Sequence, residues 1–252
     1  MLPRVLEHPL AGALLAGLVT SALNAMGATP VLLLKAPPRR LSDAGLGFAA
    51  GVMLAASFTS LIQPAIEAGG VAAALAGVLA GALAMSLLDY VTPHLHVVIG
   101  REGLPSRLSS TWMLALAMTL HNMPEGLAVG VAFASGSTHV ALAVMAAIGL
   151  QNIPEGLAVG FSMLSEGESR PRAYMIAVAS GLVEAPLSLA GAIAVSAARA
   201  LLPYAMGFAA GAMLFVVSDE IIPETHRLGR ERAASYGLIA GLILMLYLDS
   251  TL

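Results

Sequence analysis

The side chains best suited to chemistry occur in two copies of a ten-residue motif. Residues 121–130 read HNMPEGLAVG, and residues 151–160 read QNIPEGLAVG. Residues four apart on a helix project from one face, so His121 and Glu125 point the same way. The second copy presents Glu155 in the same arrangement. Imidazole, carboxylate and amide groups at this spacing are ligands for a divalent cation.

Proline and a third carboxylate add to this chemistry. Pro124 and Pro154 each remove a backbone donor, which leaves the carbonyl four residues earlier without its helical partner. Such a carbonyl needs another partner, a water molecule or an ion when it lies in lipid. Further along the chain Glu184 precedes Pro186 and falls near the middle of another apolar segment. Ionisable residues at that depth are costly and usually mark function.

These groups define a candidate metal site. The alternative to a metal site is that these polar residues only hydrogen-bond between helices and stabilise their packing. Three carboxylates at one depth, however, would repel each other without a proton or a cation. The mid-depth residues include no Lys or Arg for an anion, and the chain has no Cys. Oxygen ligands with one imidazole suit Zn2+, and also Cd2+, Fe2+ or Mn2+. The candidate ligands are His121, Asn122, Glu125, Gln151, Asn152, Glu155 and Glu184, with Met53 as a thioether donor.

The elements that must position these residues are membrane spans. The chain has 252 residues, of which 58% are hydrophobic and only 11% charged, whereas soluble domains carry about twice that charge. Apolar segments near the ~20 residues of a spanning helix predict eight spans in an all-α membrane protein. They cover residues 9–34, 44–67, 71–92, 111–134, 140–163, 173–197, 201–222 and 233–252. With short linkers between them, residues 1–252 are expected to form a single transmembrane domain.

A second repeat predicts internal symmetry. GFAAG occurs at residues 47–51 and again at 207–211, and each copy is followed by Met and Leu, at Met53 and Met213 respectively. These copies lie in the second and seventh spans, which run in opposite directions. The pattern predicts that spans 1–3 are an inverted repeat of spans 6–8, with spans 4 and 5 between them. Secondary transporters built this way hold their substrate near the bilayer midplane.

The distribution of Lys and Arg predicts the orientation of the chain. One side holds ten of the twelve, and the other holds only Arg4 and Arg199. Cytoplasmic loops are enriched in these residues, so both termini are expected to face outward. The ten cytoplasmic residues are Lys35, Arg39, Arg40, Arg101, Arg107, Arg170, Arg172, Arg227, Arg230 and Arg232.

A second group of potential ligands lies towards the predicted inner side. Asp89, Asp219 and Glu220 fall within spans, and Glu224 and His226 follow the seventh span. His94 and His96 lie in an inner loop, where solvation is their usual role, so whether they bind metal stays open. At the outer side, Glu67 is a carboxylate at the end of a span. A transport path that includes Asp89, Asp219, Glu220, Glu224, His226 and Glu67 is therefore expected.

At HNMPEG and QNIPEG the sequence resembles the ZIP family of zinc and iron transporters, in particular its prokaryotic GufA-like branch. The resemblance covers nearly the whole chain and includes PETH at residues 223–226. It implies a 3+2+3 arrangement of helices, movement of metal into the cytoplasm and a two-metal centre between the fourth and fifth spans. The chain lacks the long His-rich inner loop of many eukaryotic relatives.

The resemblance also implies a division of ligands. The first metal would meet His121, Glu125, Gln151, Glu155 and Met53, and the second would meet Asn122, Glu125, Asn152, Glu155 and Glu184. The chain departs from the family pattern because many relatives have His in place of Gln151 and some have Asp in place of Asn152. Both departures leave the metal preference open.

Two alternative functions are weighed against a transporter. An intramembrane zinc peptidase would require two His four apart with a Glu between them, as in HExxH, and the chain has no such motif. A channel would need the same midplane site, so the sequence does not separate channel from carrier. The net charge of −3 does not suggest nucleic-acid binding. The expected partners are divalent metal ions and the lipid bilayer of the cell (inner) membrane. The oligomeric state stays open, with a homodimer as one alternative.

Overall fold

The computed structural model describes residues 8–34, 39–96, 100–226 and 231–251, and the side chains of Arg39 and His96 are outside this description. The predicted loop charges Arg4, Lys35, Arg227 and Arg230 also lie outside the described residues. Ten α-helices occupy the described chain: α1 Pro9–Ala28, α2 Arg39–Ala56, α3 Gln63–Val91, α4 Ser110–Ala134, α5 Thr138–Ser165, α6 Arg170–Gly181, α7 Glu184–Ala197, α8 Leu202–Val216, α9 Ile222–His226 and α10 Glu231–Thr251.

The first, fourth, fifth and eighth predicted spans each correspond to one helix with shifted ends, whereas the second, third, sixth and seventh are divided differently from the prediction. The sixth predicted span, residues 173–197, forms two helices, α6 and α7, with a turn at residues 182–183 between them. Pro186 accounts for the break, since it cannot donate to the carbonyl of Leu182. The break makes Glu184 the first residue of α7 rather than a mid-helix residue.

Six helical stretches of the described chain are long and apolar enough to cross a membrane. One of them, Arg40–Val91, is interrupted at Gly70, whose φ of 82° and ψ of 165° are not helical. Helix α4 lies outside this set although it has 25 residues. Its His121, Asn122 and Glu125 lower its mean hydropathy, so the residues that carry the chemistry also weaken its signal as a span.

Two π-helical segments interrupt the long helices at matching places. Ser57–Ile62 follows α2 and Val217–Ile221 follows α8, so the segments begin 160 residues apart, as the GFAAG copies do. Pro64 and Pro223 lie just beyond them. A proline has no N–H and crowds the carbonyl four residues earlier, which favours the wider π turn ahead of it. Ser60 on the first segment donates to Asp249 Oδ1 at 2.8 Å.

Pairs of glycines four residues apart bring the helices together. A Cβ added at Gly51 would overlap the carbonyl of Leu238 on α10, and a Cβ at Gly211 would overlap the carbonyl of Val78 on α3. Backbones that approach this closely pack through small residues, as membrane helices commonly do. The GFAAG repeat is therefore a packing surface in both copies. The glycines of these two helix pairs are Gly47, Gly51, Gly237 and Gly241 for α2 with α10, and Gly77, Gly81, Gly207 and Gly211 for α3 with α8.

One inner loop forms a small hairpin rather than an irregular connection. Strand β1 (His94–His96) pairs antiparallel with β2 (Gly100–Glu102), with His94 opposite Glu102. Leu95 packs against an apolar cluster that includes Leu114 of α4. The hairpin thus rests on the N-terminal half of α4, the helix that carries the first motif.

Candidate metal centre

The seven residues predicted as oxygen or nitrogen ligands come together in the interior. Helices α4 and α5 each contribute three of them, and α7 contributes its first residue, Glu184. None of the seven is more than 7% exposed. Burial of so many polar groups is costly unless each finds a partner. The residues are His121, Asn122, Glu125, Gln151, Asn152, Glu155 and Glu184.

Two short hydrogen bonds join the contributing helices. Gln151 Nε2 donates to Glu125 Oε1 at 2.6 Å, which links α5 to α4. Asn152 Nδ2 donates to Glu184 Oε1 at 2.7 Å, which links α5 to α7. Each amide therefore turns its nitrogen towards one carboxylate oxygen. Its own oxygen and the second carboxylate oxygen are left for another partner.

Five buried oxygens of the centre have no hydrogen bond within the described part of the chain. They belong to all three carboxylates and to two of the three amides: Glu125 Oε2, Gln151 Oε1, Asn152 Oδ1, Glu155 Oε1 and Glu184 Oε2. Ionised carboxylates and amide oxygens only accept hydrogen bonds, so they cannot satisfy each other. Divalent cations bound among these oxygens would supply the missing partners. The donor set therefore fits a divalent metal ion.

Glycines in the two motifs allow the flanking helices to reach the centre. A Cβ at Gly126 would lie 2.7 Å from Cα of Glu184, so the absence of a side chain there lets α7 approach α4. In the second copy, a Cβ at Gly156 would overlap the carbonyl of Asn24 on α1. Gly126 and Gly156 each directly follow a candidate ligand glutamate. The motif thus encodes the packing of the site as well as its ligands.

A cavity of about 80 Å³ leads away from the centre. His121, Asn122 and Glu155 line it at the metal centre, and Glu220 and Glu224 line it beyond. Leu95 of the hairpin also contributes to its wall. The cavity has room for several water molecules. It therefore links the buried ligands to the side of the molecule where the hairpin lies.

Glu220 lies next to the candidate centre, although the sequence predicts it towards the inner side of the membrane. It is 1% exposed and sits on the π-helical segment Val217–Ile221. Its Oε2 is 3.2 Å from His121 Nδ1, and the same nitrogen is 3.1 Å from the carbonyl oxygen of Ala117. Glu220, which the sequence predicts for the transport path, therefore lies beside His121 of the first motif.

A second cluster of potential ligands lies at the hairpin. His94 is fully buried, and its Nε2 is 2.9 Å from Asp89 and 3.6 Å from Glu102. Burial and the nearby charge of Asp89 raise the pKa of the Glu102 carboxyl. A cation between the two carboxylates relieves this repulsion. Glu102 was not predicted from the sequence, because a loop glutamate is usually solvated and its pairing with His94 depends on the hairpin register.

Four other predicted residues stand apart from the cavity. Asp219 is exposed, and Glu67 is exposed and accepts from Gln63 at 3.4 Å. His226 packs against its neighbours, with Nε2 3.3 Å from Ser235 Oγ and Nδ1 2.9 Å from the hydroxyl of Thr225. Met53 is fully buried in an apolar cluster with Leu120 and Ile148, the residues near His121 and Gln151 in sequence.

Helix α1 contributes polar residues that sequence reasoning missed. Thr20 accepts a hydrogen bond from Asn152 Nδ2 through its carbonyl oxygen at 3.1 Å. Ser21 donates to the carbonyl of Gly181 at 2.9 Å, and Asn24 Nδ2 donates to that of Ala177 at 2.8 Å. Thr20, Ser21 and Asn24 are spaced along one side of an otherwise apolar helix. That pattern was the available signal that α1 touches the site.

Comparison with known proteins places these features in a family. The family model for ZIP zinc transporters matches residues 97–249. The zinc transporter ZIPB of Bordetella bronchiseptica is 47% identical over 251 residues, which cover 95% of this chain and 81% of that protein. GufA of Myxococcus xanthus, also a zinc transporter, is 41% identical over 95% of this chain and 98% of its own length. The human zinc transporter ZIP11 is 35% identical over 94% of this chain and 96% of its own length.

The helices define a multi-pass, all-α membrane protein, and its candidate ligands form a buried polar cluster in a largely apolar interior. The chain belongs to the ZIP family of zinc transporters. This membership identifies a divalent metal transporter rather than an enzyme, and it lends no support to the peptidase alternative.

Proposed function

We propose that this protein carries Zn2+ across the cell membrane into the cytoplasm, with the buried centre as its binding site. The observation that carries the proposal is the convergence of three glutamates, three amides and His121, with five buried oxygens that lack hydrogen-bond partners in the described chain. The zinc transporters to which the chain is similar support Zn2+ as the substrate. Cd2+ presents similar ligand preferences and is expected to substitute for it.

The centre is proposed to bind two metal ions. The first would be held by His121, Glu125, Gln151, Glu155 and Met53, and the second by Asn122, Glu125, Asn152, Glu155 and Glu184. The two hydrogen bonds support this division, because one pairs Gln151 with Glu125 and the other pairs Asn152 with Glu184. Glu125 and Glu155 would bridge the ions.

The direction of transport is proposed from the cavity. The cavity runs from Glu155 and His121 towards Glu220 and Glu224. This is the side of the molecule where the hairpin with Arg101 lies. That side holds most of the Lys and Arg, so it is proposed to face the cytoplasm, with both termini outside. In this conformation metal would leave the centre past Glu220 and Glu224. Asp89, Asp219 and His226 are proposed to contribute at the inner mouth, and Glu67 at the outer one.

The architecture is proposed to be eight spans in a 3+2+3 arrangement within a single domain of residues 1–252. The six stretches become eight when Arg40–Val91 is divided at Gly70 and α4 is added. Two glycine-packed pairs support the inverted repeat, because α2 packs on α10 as α8 packs on α3. The π-helical segments recur with the same 160-residue separation. The lipid bilayer is the proposed surrounding, and a homodimer the proposed assembly.

The test is metal uptake into proteoliposomes, with Zn2+, Cd2+, Fe2+ and Mn2+ compared. We expect saturable Zn2+ uptake that falls below about a tenth in Glu125→Ala and in His121→Ala, because loss of a direct ligand should exceed the 10–100-fold effects seen for outer-shell residues. Glu166→Ala, at an exposed position after α5, is the matched control and should transport normally. Normal uptake by a folded Glu125→Ala protein would contradict the proposed site.

A further inference from the structure

Asn24 occupies a position in α1 that matches the position of Glu184 in α7. The two residues are 160 apart in sequence, the separation that also relates Gly47 to Gly207. Glu184 packs against Gly126 of the first motif, and Asn24 packs against Gly156 of the second. Two equivalent motif glycines thus each have a polar residue against them. One of these is already a candidate ligand.

The side chain of Asn24 has its orientation fixed by a hydrogen bond. Asn24 is 1% exposed, and its Nδ2 donates to the carbonyl oxygen of Ala177 at 2.8 Å. With the nitrogen directed at α6, the amide oxygen must point elsewhere. A Cβ added at Gly156 would lie 3.0 Å from Asn24 Oδ1, so this oxygen lies beside the residue that follows Glu155.

Asn24 is also one of the residues that line the cavity. Asn24 lines it together with Glu155, Asn122 and His121. No hydrogen bond to Asn24 Oδ1 occurs within the described part of the chain. A buried acceptor beside a carboxylate gains most from a cation, because two acceptors cannot bond to each other.

We propose that Asn24 is a further metal-binding residue, which offers its amide oxygen to a divalent cation beside Glu155 on the cavity side of the centre. The proposal rests on the proposed function of the centre and adds to it a ligand from α1. Asn24 would make the first contact of an ion that leaves Glu155 for the cavity. Oxygen ligands of this kind suit Zn2+ less tightly than imidazole does, which favours release.

A structural role for Asn24 makes a different prediction from a ligand role. If Asn24 only connects α1 to α6 through the hydrogen bond of its NH2 group, Asn24→Asp should lower Cd2+ affinity as much as Asn24→Ala does. If its oxygen binds metal, Asn24→Asp keeps that oxygen and adds a charge. Ser21→Ala is the matched control, because it removes a hydrogen bond from α1 to Gly181 of α6 and Ser21 does not line the cavity.

The experiment is Cd2+ titration of purified full-length protein in detergent, read by calorimetry and by metal content. We expect Asn24→Ala to weaken binding of one ion by about tenfold or more, because even outer-shell partners of a metal contribute about 10–100-fold. Asn24→Asp should bind Cd2+ at least as tightly as the unchanged protein does. Ser21→Ala should bind Cd2+ with the same affinity as the unchanged protein. Should Asn24→Asp fail to fold, Asn24→Ser keeps an oxygen and should bind more tightly than Asn24→Ala.

Two results would overturn the proposal. One is unchanged Cd2+ affinity in Asn24→Ala, and the other is an equal loss of affinity in Asn24→Asp and Asn24→Ala. Failure of the proposed centre itself looks different, because the unchanged protein would then bind no Cd2+ at all. The titration of the unchanged protein therefore separates the two hypotheses.

Discussion

The charge of the centre is set by residues that have no basic partner nearby in sequence. No Lys or Arg occurs between Arg107 and Arg170, the stretch that holds both motifs. With His121 neutral, Glu125, Glu155 and Glu184 carry −3 when ionised. With one divalent ion bound, the net charge of the centre is −1, and with two ions it is +1. Both net charges are tolerable for buried ligands. The carboxylates therefore match a centre whose counter-charges are the transported ions.

The second ion should bind more weakly than the first, since it enters a site that is already partly neutralised and shares Glu125 and Glu155. Glu184 is the carboxylate not assigned to the first ion, and it is bonded to Asn152 rather than to Gln151. We predict that Glu184→Ala loses the weaker ion and keeps the stronger one, with Zn2+ uptake reduced but still present. Metal content of purified protein, titrated with Zn2+ or Cd2+, checks this.

Glu166→Ala serves again as the control and should hold both ions. Glu184→Ala protein that still binds two ions would show that this carboxylate does not define the second site. Loss of both ions would show instead that the ligands act as one unit.

Most of the candidate site could be predicted from residue types and spacing, because ligand chemistry and helical periodicity are local properties. The six polar residues of the two motifs and Glu184 do lie together in the interior. Contacts between distant elements could not be predicted in this way. The 3.2 Å approach of Glu220 to His121 and the pairing of Glu102 with His94 depend on how the π-helical segment after α8 and the hairpin pack.

At the scale of the elements, hydropathy predicts where helices lie but not how they are interrupted. The break before Glu184 and the two π-helical segments follow from Pro186, Pro64 and Pro223. These prolines are visible in the sequence, but a proline can start, kink or end a helix, and tertiary packing decides which occurs. The hairpin of β1 and β2 was missed because its strands have only three residues each.

Close packing at the motif glycines gives a prediction at this scale. We predict that Gly126→Ala displaces α7 from α4, because the added Cβ would lie 2.7 Å from Cα of Glu184 and backbone atoms cannot move aside cheaply. Overpacking of this kind costs about 1–3 kcal/mol. The expected result is a lower melting temperature together with loss of the weaker metal ion, measured by thermal unfolding and metal titration.

Gly160→Ala is the matched control in the second motif. The nearest atoms to a Cβ there belong to the side chain of Val31, at 3.1 Å, and that side chain can shift. Its metal content should stay unchanged. Equal effects of the two substitutions would indicate a general loss of stability rather than a specific displacement of Glu184.

At the scale of the whole molecule, the opposite ends of α5 must lie on opposite sides of the membrane if this helix spans it. It runs from Thr138 to Ser165, and 28 residues at 1.5 Å each are about 42 Å long. The loop after it leads to Arg170 and Arg172, whereas Thr138 follows the short connection from α4. The Lys and Arg distribution predicts that the Ser165 end of α5 faces the cytoplasm.

Cysteine labelling tests this orientation cleanly, since the chain has no Cys of its own. Ser169 and Thr138 are both exposed, so a Cys at either position can react if reagent reaches it. We predict that an impermeant thiol reagent added to intact cells labels Thr138→Cys, and labels Ser169→Cys only after the membrane is permeabilised. The reverse pattern would place both termini in the cytoplasm. The cavity that leads from Glu155 past Glu220 would then open to the outside, and the proposed direction of metal release would be wrong.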